Sequence, residues 1–168
     1  MNKIVIDYTK NIDKNILERV SEISPWDWLK EQLTLDYVTD EWVSFVKNNI
    51  SSILLDEQGE VISYWAFWSD NKFSKNIIKN CWLDVNETFL WVYLFTNKKY
   101  RWKWYAELLK DEQIKYIKEN FSDIKYLLWE TEKKKTLKLY KKYWAVKIKS
   151  EKKFFFKKIF SYYYKIRD

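Results

Sequence analysis

The chain has no histidine and a single cysteine, Cys81, and that shortage limits the chemistry its residues can do. Ser-His-Asp and Cys-His nucleophilic schemes, imidazole bases and nearly all His-based metal sites are excluded. One cysteine makes neither an internal disulfide nor a cluster of thiolate ligands, so no metal is expected. Carboxylates, tyrosines, backbone amides and a bound cofactor remain. The residues best spaced to use them follow the apolar run FLWVYLFT (89–96). There Asn97-Lys98-Lys99 turns the chain into Tyr100-Arg101-Trp102-Lys103-Trp104-Tyr105-Ala106 and the start of a helix. The first N–H groups of a helix lack internal partners, and the helix dipole adds partial positive charge there. An anion such as a pyrophosphate can use those amides if no bulky side chain stands in the way. Arg101 and Lys103 add charge and Ala106 is small, whereas Trp102 and Trp104 are large.

The elements that must position this junction can be read from periodicity. KIVIDY (3–8) alternates as a strand. Asn11 or Asp13 can cap a helix through about Ile23, with Ile16, Leu17, Val20 and Ile23 on one face. Pro25 breaks it, and helical pieces near 27–35 and 39–48 follow, with Leu29, Leu33, Trp42, Phe45 and Val46 as core. Two β-rich runs, 50–55 and 60–67, flank the turn Glu57-Gln58-Gly59 as a hairpin. Residues 69–86 are polar and read as a short helix with a loop. The run 89–96 is a central strand. A helix over 102–120 buries Leu109, Tyr116, Ile117 and Phe121, and leaves Lys110, Glu112, Lys115 and Glu119 wet. IKYLLWE (124–130) is the next strand and KTLKLYKKY (135–143) a short helix. AVKIKS and FFFKKIF form a terminal strand pair before a tyrosine-rich tail. The order is β-α-α-β-β-β-α-β-α-β-β, a mixed α/β chain without internal repeats.

At 168 residues, 47% hydrophobic and 33% charged, the composition is that of one globular domain. No apolar run reaches the roughly 18 residues of a membrane span, and MNKIVIDYTK lacks an apolar signal core, so a cytoplasmic protein without membrane attachment is expected. Residues 1–84 hold 9 basic and 14 acidic side chains, and residues 85–168 hold 22 and 10, within a net charge of +7. The basic half suits a polyanionic partner or a phosphorylated cofactor, or is simply a lysine-rich solvated face.

Glycine is nearly missing. A chain of this length should hold about 12, yet Gly59 is the only one, against 11 tryptophans. Several tryptophans fall where a backbone wants glycine: Trp26 and Trp28 in a turn, Trp102 and Trp104 at a helix start, and Trp144 after a helix. Some bacterial genetic codes read UGA as glycine and others as tryptophan, so a gene read with the wrong table would show this pattern. Among 31 basic residues only Arg19, Arg101 and Arg167 are arginine, which fits an AT-rich genome. The alternative is a protein truly rich in tryptophan.

With this in view, residues 94–106 resemble the acyl-CoA-binding motif of the GCN5-related N-acetyltransferase (GNAT) family, Arg/Gln-x-x-Gly-x-Gly/Ala between the fourth strand and the following helix. Arg101 and Ala106 match, Trp104 stands where glycine belongs, and Trp102 where a further glycine is common. Glycine at both gives YRGKGYAELL. Leu139-Tyr140-Lys141-Lys142-Tyr143-Trp144-Ala145 is similar to the family's L-Y-x-K-x-G-F/A segment. An asparagine seven residues before that tyrosine is replaced by Lys133. The resemblance covers 50–148 well, and 1–49 by order of elements.

It implies a single N-acetyltransferase domain over 1–168, with a mixed, mostly antiparallel sheet of about six to seven strands and about four helices. Acetyl-CoA is then the cosubstrate, an amine the acceptor, and direct transfer in a ternary complex the reaction, by a monomer or homodimer without metal. The pyrophosphate would lie at Arg101, Trp102, Lys103, Trp104, Tyr105 and Ala106, and the pantetheine arm along Phe95 and Thr96. Tyr140 would protonate the departing thiolate, and Glu130 or Glu87 would take the amine's proton. The competing reading is a nucleic-acid-binding module in which Tyr100, Trp102, Trp104, Tyr143 and Trp144 stack bases in a basic groove. It lacks an RNP signature, and its aromatics fall at turns. An interfacial role for FFFKKIFSYYYK is a further rival, less natural than a terminal strand and tail.

Overall fold

The alternating segment KIVIDY forms β1 (Lys3–Tyr8) in the computed structural model, which describes residues 2–34, 46, 48–68, 70, 72–101, 104–131, 145–153 and 157–167. Asp13 then caps α1 (Lys14–Ile23), its carboxylate accepting from the Asn15 amide at 2.7 Å, which satisfies one of the helix's unpaired donors. Leu17 and Val20 are buried on the inner face. After Pro25 comes α2 (Asp27–Thr34), contributing the buried Leu29 and Leu33. Val46 is helical and buried, whereas Trp42 and Phe45 lie outside the described residues.

The hairpin follows its sequence signal closely. β2 (Ile50–Leu55) and β3 (Val61–Phe67) pair antiparallel, with Ile50 opposite Phe67 and Ile53 opposite Tyr64. Gly59 takes φ +81° in the turn, the left-handed conformation that favours glycine. Within 69–86, Lys72–Lys79 form α3, and a turn follows it. β4 (Thr88–Thr96) leads to a short 3-10 turn at Lys98–Tyr100 and then to α4 (Tyr105–Asn120). β5 (Tyr126–Thr131) precedes β6 (Val146–Lys153) and β7 (Lys157–Lys165).

Seven strands form one sheet in the order β1-β2-β3-β4-β5-β7-β6. β4 and β5 run parallel, while β1–β2, β2–β3, β5–β7 and β6–β7 are antiparallel. With the four helices given above among the described residues, this is the expected mixed, mostly antiparallel α+β architecture.

The chain divides into two compact units, Met1–Asn71 with Val92–Tyr116, and Lys72–Trp91 with Ile117–Asp168. The first has a core of Leu17, Val20, Leu29, Leu33, Ile53 and Tyr64 among others, with Val92 and Tyr93 packed against it. In the second, Phe89 meets Phe121 edge to face, and Trp91 and Trp129 lie 5.6 Å apart between ring centroids.

Three expectations need correction. Lys110, assigned to the wet face of its helix, is fully buried with Leu109 and Gln113, because the inner stripe of α4 is one residue wider than its apolar positions suggest. The tyrosine-rich tail is strand: Tyr162, Tyr163 and Tyr164 pair with Trp129, Leu128 and Leu127 of β5, and aromatic residues suit a half-buried pleated surface. The helix expected from 102 is described from Tyr105. The helix expected over 135–143 lies outside the described residues.

Candidate active site

The first unit holds the strand-to-helix junction. Asn97 begins it: its amide donates to the Ile62 carbonyl at 2.9 Å, its Nδ2 to the Val61 carbonyl at 3.3 Å, and its Oδ1 accepts from the Lys99 amide at 3.1 Å. The side chain thus folds the turn and ties it to β3. Arg101 is exposed, with its Nε donating to the Thr96 carbonyl at 3.4 Å. The Ser63 hydroxyl donates to the Phe95 carbonyl at 3.0 Å and lies 3.1 Å from the Thr96 hydroxyl.

The helix starts at Tyr105, with Trp104 just ahead of it. The Trp104 carbonyl accepts from the Glu107 and Leu108 amides at 3.0 and 3.1 Å, so Tyr105 and Ala106 stand ahead of the first ladder bonds, in the turn where the dipole favours an anion. Trp104 has φ 59° and is 74% exposed. Its backbone conformation is one that a side chain bearing Cβ strains to hold. Trp102 and Lys103 lie outside the described residues.

β4 carries a second left-handed residue, Tyr93, with φ 59°. The parallel ladder with β5 pairs Thr88–Trp91 with Tyr126–Trp129, and β4 runs on to Thr96. A left-handed residue inside a strand bends it and interrupts regular pairing. Burial drives the Tyr93 hydroxyl's pKa upward, with Tyr64 adding to the effect. Burial likewise pushes Tyr64 up to about 12, so both phenols stay protonated at neutral pH. The Tyr64 hydroxyl is 3.0 Å from Ser51, which is 2.7 Å from Thr9. The Trp26 ring meets Tyr93 and Phe95 edge-on.

In the second unit Glu87 and Glu130 are kept apart. Glu87 accepts from Lys125 Nζ at 2.7 Å, and its carbonyl receives the Lys125 and Tyr126 amides. Glu130 lies four residues beyond Tyr126, about 13 Å along an extended strand, and accepts from the Ser161 hydroxyl at 3.0 Å. Tyr140 lies outside the described residues. Among those residues no cluster of His, Cys, Asp or Glu could hold a metal, and no helix is long and apolar enough to cross a membrane.

Sequence reasoning missed the left-handed Tyr93 and the Asp56–Tyr100 contact, although it named Asn97 as the start of the turn and Tyr100 as a stacking aromatic. Asn97 had a signal, as an Asx-type turn residue after a strand. Tyr93 had none, since tyrosine is an ordinary strand residue.

No protein-family model matches the sequence, and no curated protein matches it. Solved structures do match its fold. The ribosomal-protein-S18-alanine N-acetyltransferase of Escherichia coli aligns with a TM-score of 0.68 at 10% identity, over 100% of this chain and 96% of that one. An acetyltransferase of the GNAT family from Streptococcus pneumoniae aligns at 0.62 and 15%, over 99% and 100%. The AHL synthase LasI aligns at 0.70 and 11%, over 99% and 91%. With a seven-stranded, mostly antiparallel sheet and four helices among its described residues, the chain has the fold of the GNAT acetyltransferases.

Proposed function

We propose that residues 1–168 form one acyl-CoA-dependent N-acyltransferase domain that moves an acetyl group from acetyl-CoA to a primary amine of a peptide, protein or small molecule. The observation that carries this reading is the left-handed backbone at residue 104, set between Arg101 and Ala106 at the N-terminus of α4. That conformation favours glycine, the residue that the resembled motif puts there and that leaves the helix amides open to an anion. What supports the reading is the backbone at 104, which has a glycine-like φ although its side chain is an indole.

In this reading the amides at 102–106 and the cations of Arg101 and Lys103 hold the pyrophosphate. The backbone at Phe95 and Thr96 pairs with the pantetheine arm, and the β4 amides near Tyr93 polarise the thioester carbonyl. The acceptor nitrogen attacks the carbonyl carbon, and the C–S bond breaks as the C–N bond forms. Glu130 takes the amine's surplus proton and Tyr140 gives its own to the departing thiolate. Proximity within the ternary complex supplies most of the acceleration. Glu87 is the second candidate for the base, since its carboxylate is paired with Lys125. The enzyme is read as cytoplasmic, a monomer or homodimer working without metal. The nucleic-acid reading needs the face of Tyr100 as a stacking platform, and that ring already meets Lys99 and Tyr105.

The glycine reading belongs to the same proposal. Five described residues have positive φ: Gly59, Tyr93, and the three tryptophans Trp68, Trp82 and Trp104. UGA codons read as tryptophan account for that coincidence. Calorimetry with acetyl-CoA tests both ideas, on the chain as written and on a Trp102→Gly/Trp104→Gly chain. Binding by the glycine chain alone supports them. Micromolar binding by the unsubstituted chain overturns the account of the loop, and no binding by either overturns the acetyltransferase.

A further inference from the structure

We propose that Asp56 and Tyr100 are positioning residues for the cosubstrate-binding turn, joining the β2–β3 hairpin to the segment that aims Arg101 and the first turn of α4. The proposal rests on the acetyl-CoA reading above.

Asp56 uses its two carboxylate oxygens differently. Oδ1 accepts from the Gln58 and Glu60 amides at 3.0 and 2.8 Å, which folds the hairpin turn. Oδ2 is not needed for that turn, and it accepts from the Tyr100 hydroxyl at 2.5 Å, 44 positions away in sequence. Bonds from neutral donors to an ionised acceptor are short and strong. Lys99 reinforces the contact, with its ammonium 3.9 Å from Glu60 and 5.1 Å from the Tyr100 ring centroid. Arg19 braces the hairpin by donating to the Gly59 carbonyl at 2.8 Å.

The far side of Tyr100 faces the helix. Its ring meets that of Tyr105, the first residue of α4, edge-on at 6.2 Å between centroids. One tyrosine therefore connects the hairpin turn to the helix start, on either side of Arg101. Asn97 fixes where the segment leaves β4, through its bonds to Ile62 and Val61. Without the Asp56 bond the segment would keep that anchor and lose its far one. The amides meant for a pyrophosphate would then sample a wider range of positions, and a bound anion would have to order them.

The experiment uses the full-length chain carrying Trp102→Gly and Trp104→Gly, with Tyr100→Phe and the milder Asp56→Asn added separately. Amide hydrogen exchange over residues 97–106 reads the clamp without ligand. Calorimetry with acetyl-CoA reads its purpose. Tyr100→Phe is expected to speed exchange in that segment alone, weaken acetyl-CoA about tenfold, and leave the melting temperature within about 2 °C. Asp56→Asn, which keeps the turn-forming oxygen and offers Tyr100 a donor, should fall between. Unchanged exchange overturns the clamp. Faster exchange with unchanged affinity overturns its positioning role and leaves the acetyl-CoA reading standing. A large fall in melting temperature that accounts for the lost binding makes the pair merely structural and overturns the proposal. If the parent chain binds no acetyl-CoA, the functional reading fails and this one with it.

Discussion

The Leu83 amide donates to the Ile78 carbonyl at 3.3 Å, closing the C-terminus of α3 across five residues. The Trp82 amide donates to the Lys79 carbonyl at 2.9 Å inside that loop. Together these bonds form a Schellman turn whose left-handed C′ residue is Trp82, with φ 55°. Glycine is the usual occupant, because it alone takes that conformation without a Cβ penalty. The indole is 83% exposed, so packing returns little for the strain.

Trp82→Gly should therefore stabilise the protein by about 1 kcal/mol. Urea unfolding of the two proteins measures it. A stability loss would show that the indole has structural value and would remove the cleanest support for a misread glycine.

The gene should carry TGA at codons 68, 82 and 104 and a GGN codon at 59. Sequencing the coding DNA and weighing tryptic peptides of the native protein read this directly. TGG at 82 and 104 sinks the idea, because that codon means tryptophan under either reading.

Asp56 predicts a stability term that disappears in acid. Tyr100's hydrogen bond, followed by the backbone bonds from Glu60 and Gln58, holds its carboxyl below the ordinary carboxylate range. A group depressed on folding contributes stability above its unfolded pKa and loses it as pH falls through the folded one. Melting curves of the parent and Asp56→Asn should differ at pH 7 and converge as the medium is acidified past that depressed pKa. A difference that stays constant with pH would mean that the carboxylate's charge is irrelevant.

Glu87 and Glu130 should separate by phenotype. Lys125 is raised on folding chiefly by its hydrogen bond to Glu87, so Glu87→Gln should lower the melting temperature at neutral pH. That deficit should shrink as strong alkali deprotonates Lys125 in the parent. Glu130→Gln should instead slow acetyl transfer to a panel of amines by about 10²-fold or more, flattening the acid limb of the rate profile. If Glu87→Gln gives the flattened profile, the base has been assigned to the wrong carboxylate.

How much could be read from sequence varied by element. β1 and the β2–β3 hairpin were legible because alternation, a helix cap at Asp13 and Gly59 all gave the same reading. Lys110 was not, since its burial depends on what packs over α4 rather than on its type. Tyr162–Tyr164 were misjudged as tail because three like residues show no alternation, although each pairs with β5. At the candidate site the end of β4 at Thr96 and the turn after it were legible from the apolar run and from Asn97. Tyr93 and the Asp56–Tyr100 contact were not, because a bent strand and a partner 44 residues away leave no local pattern.

Tyr93 has one more consequence. In an unbroken strand successive side chains face opposite ways, yet Val92 and Tyr93 both pack against the first unit's core. The left-handed residue acts like a frameshift, so β4 follows one inside–outside frame up to it and another after it. A single-residue deletion between Thr88 and Val92 should swap the faces of the early half alone, against its β5 partners. The same deletion between Leu94 and Asn97 should swap the faces of everything from there to Arg101, turning the junction inside out while changing the composition by one residue.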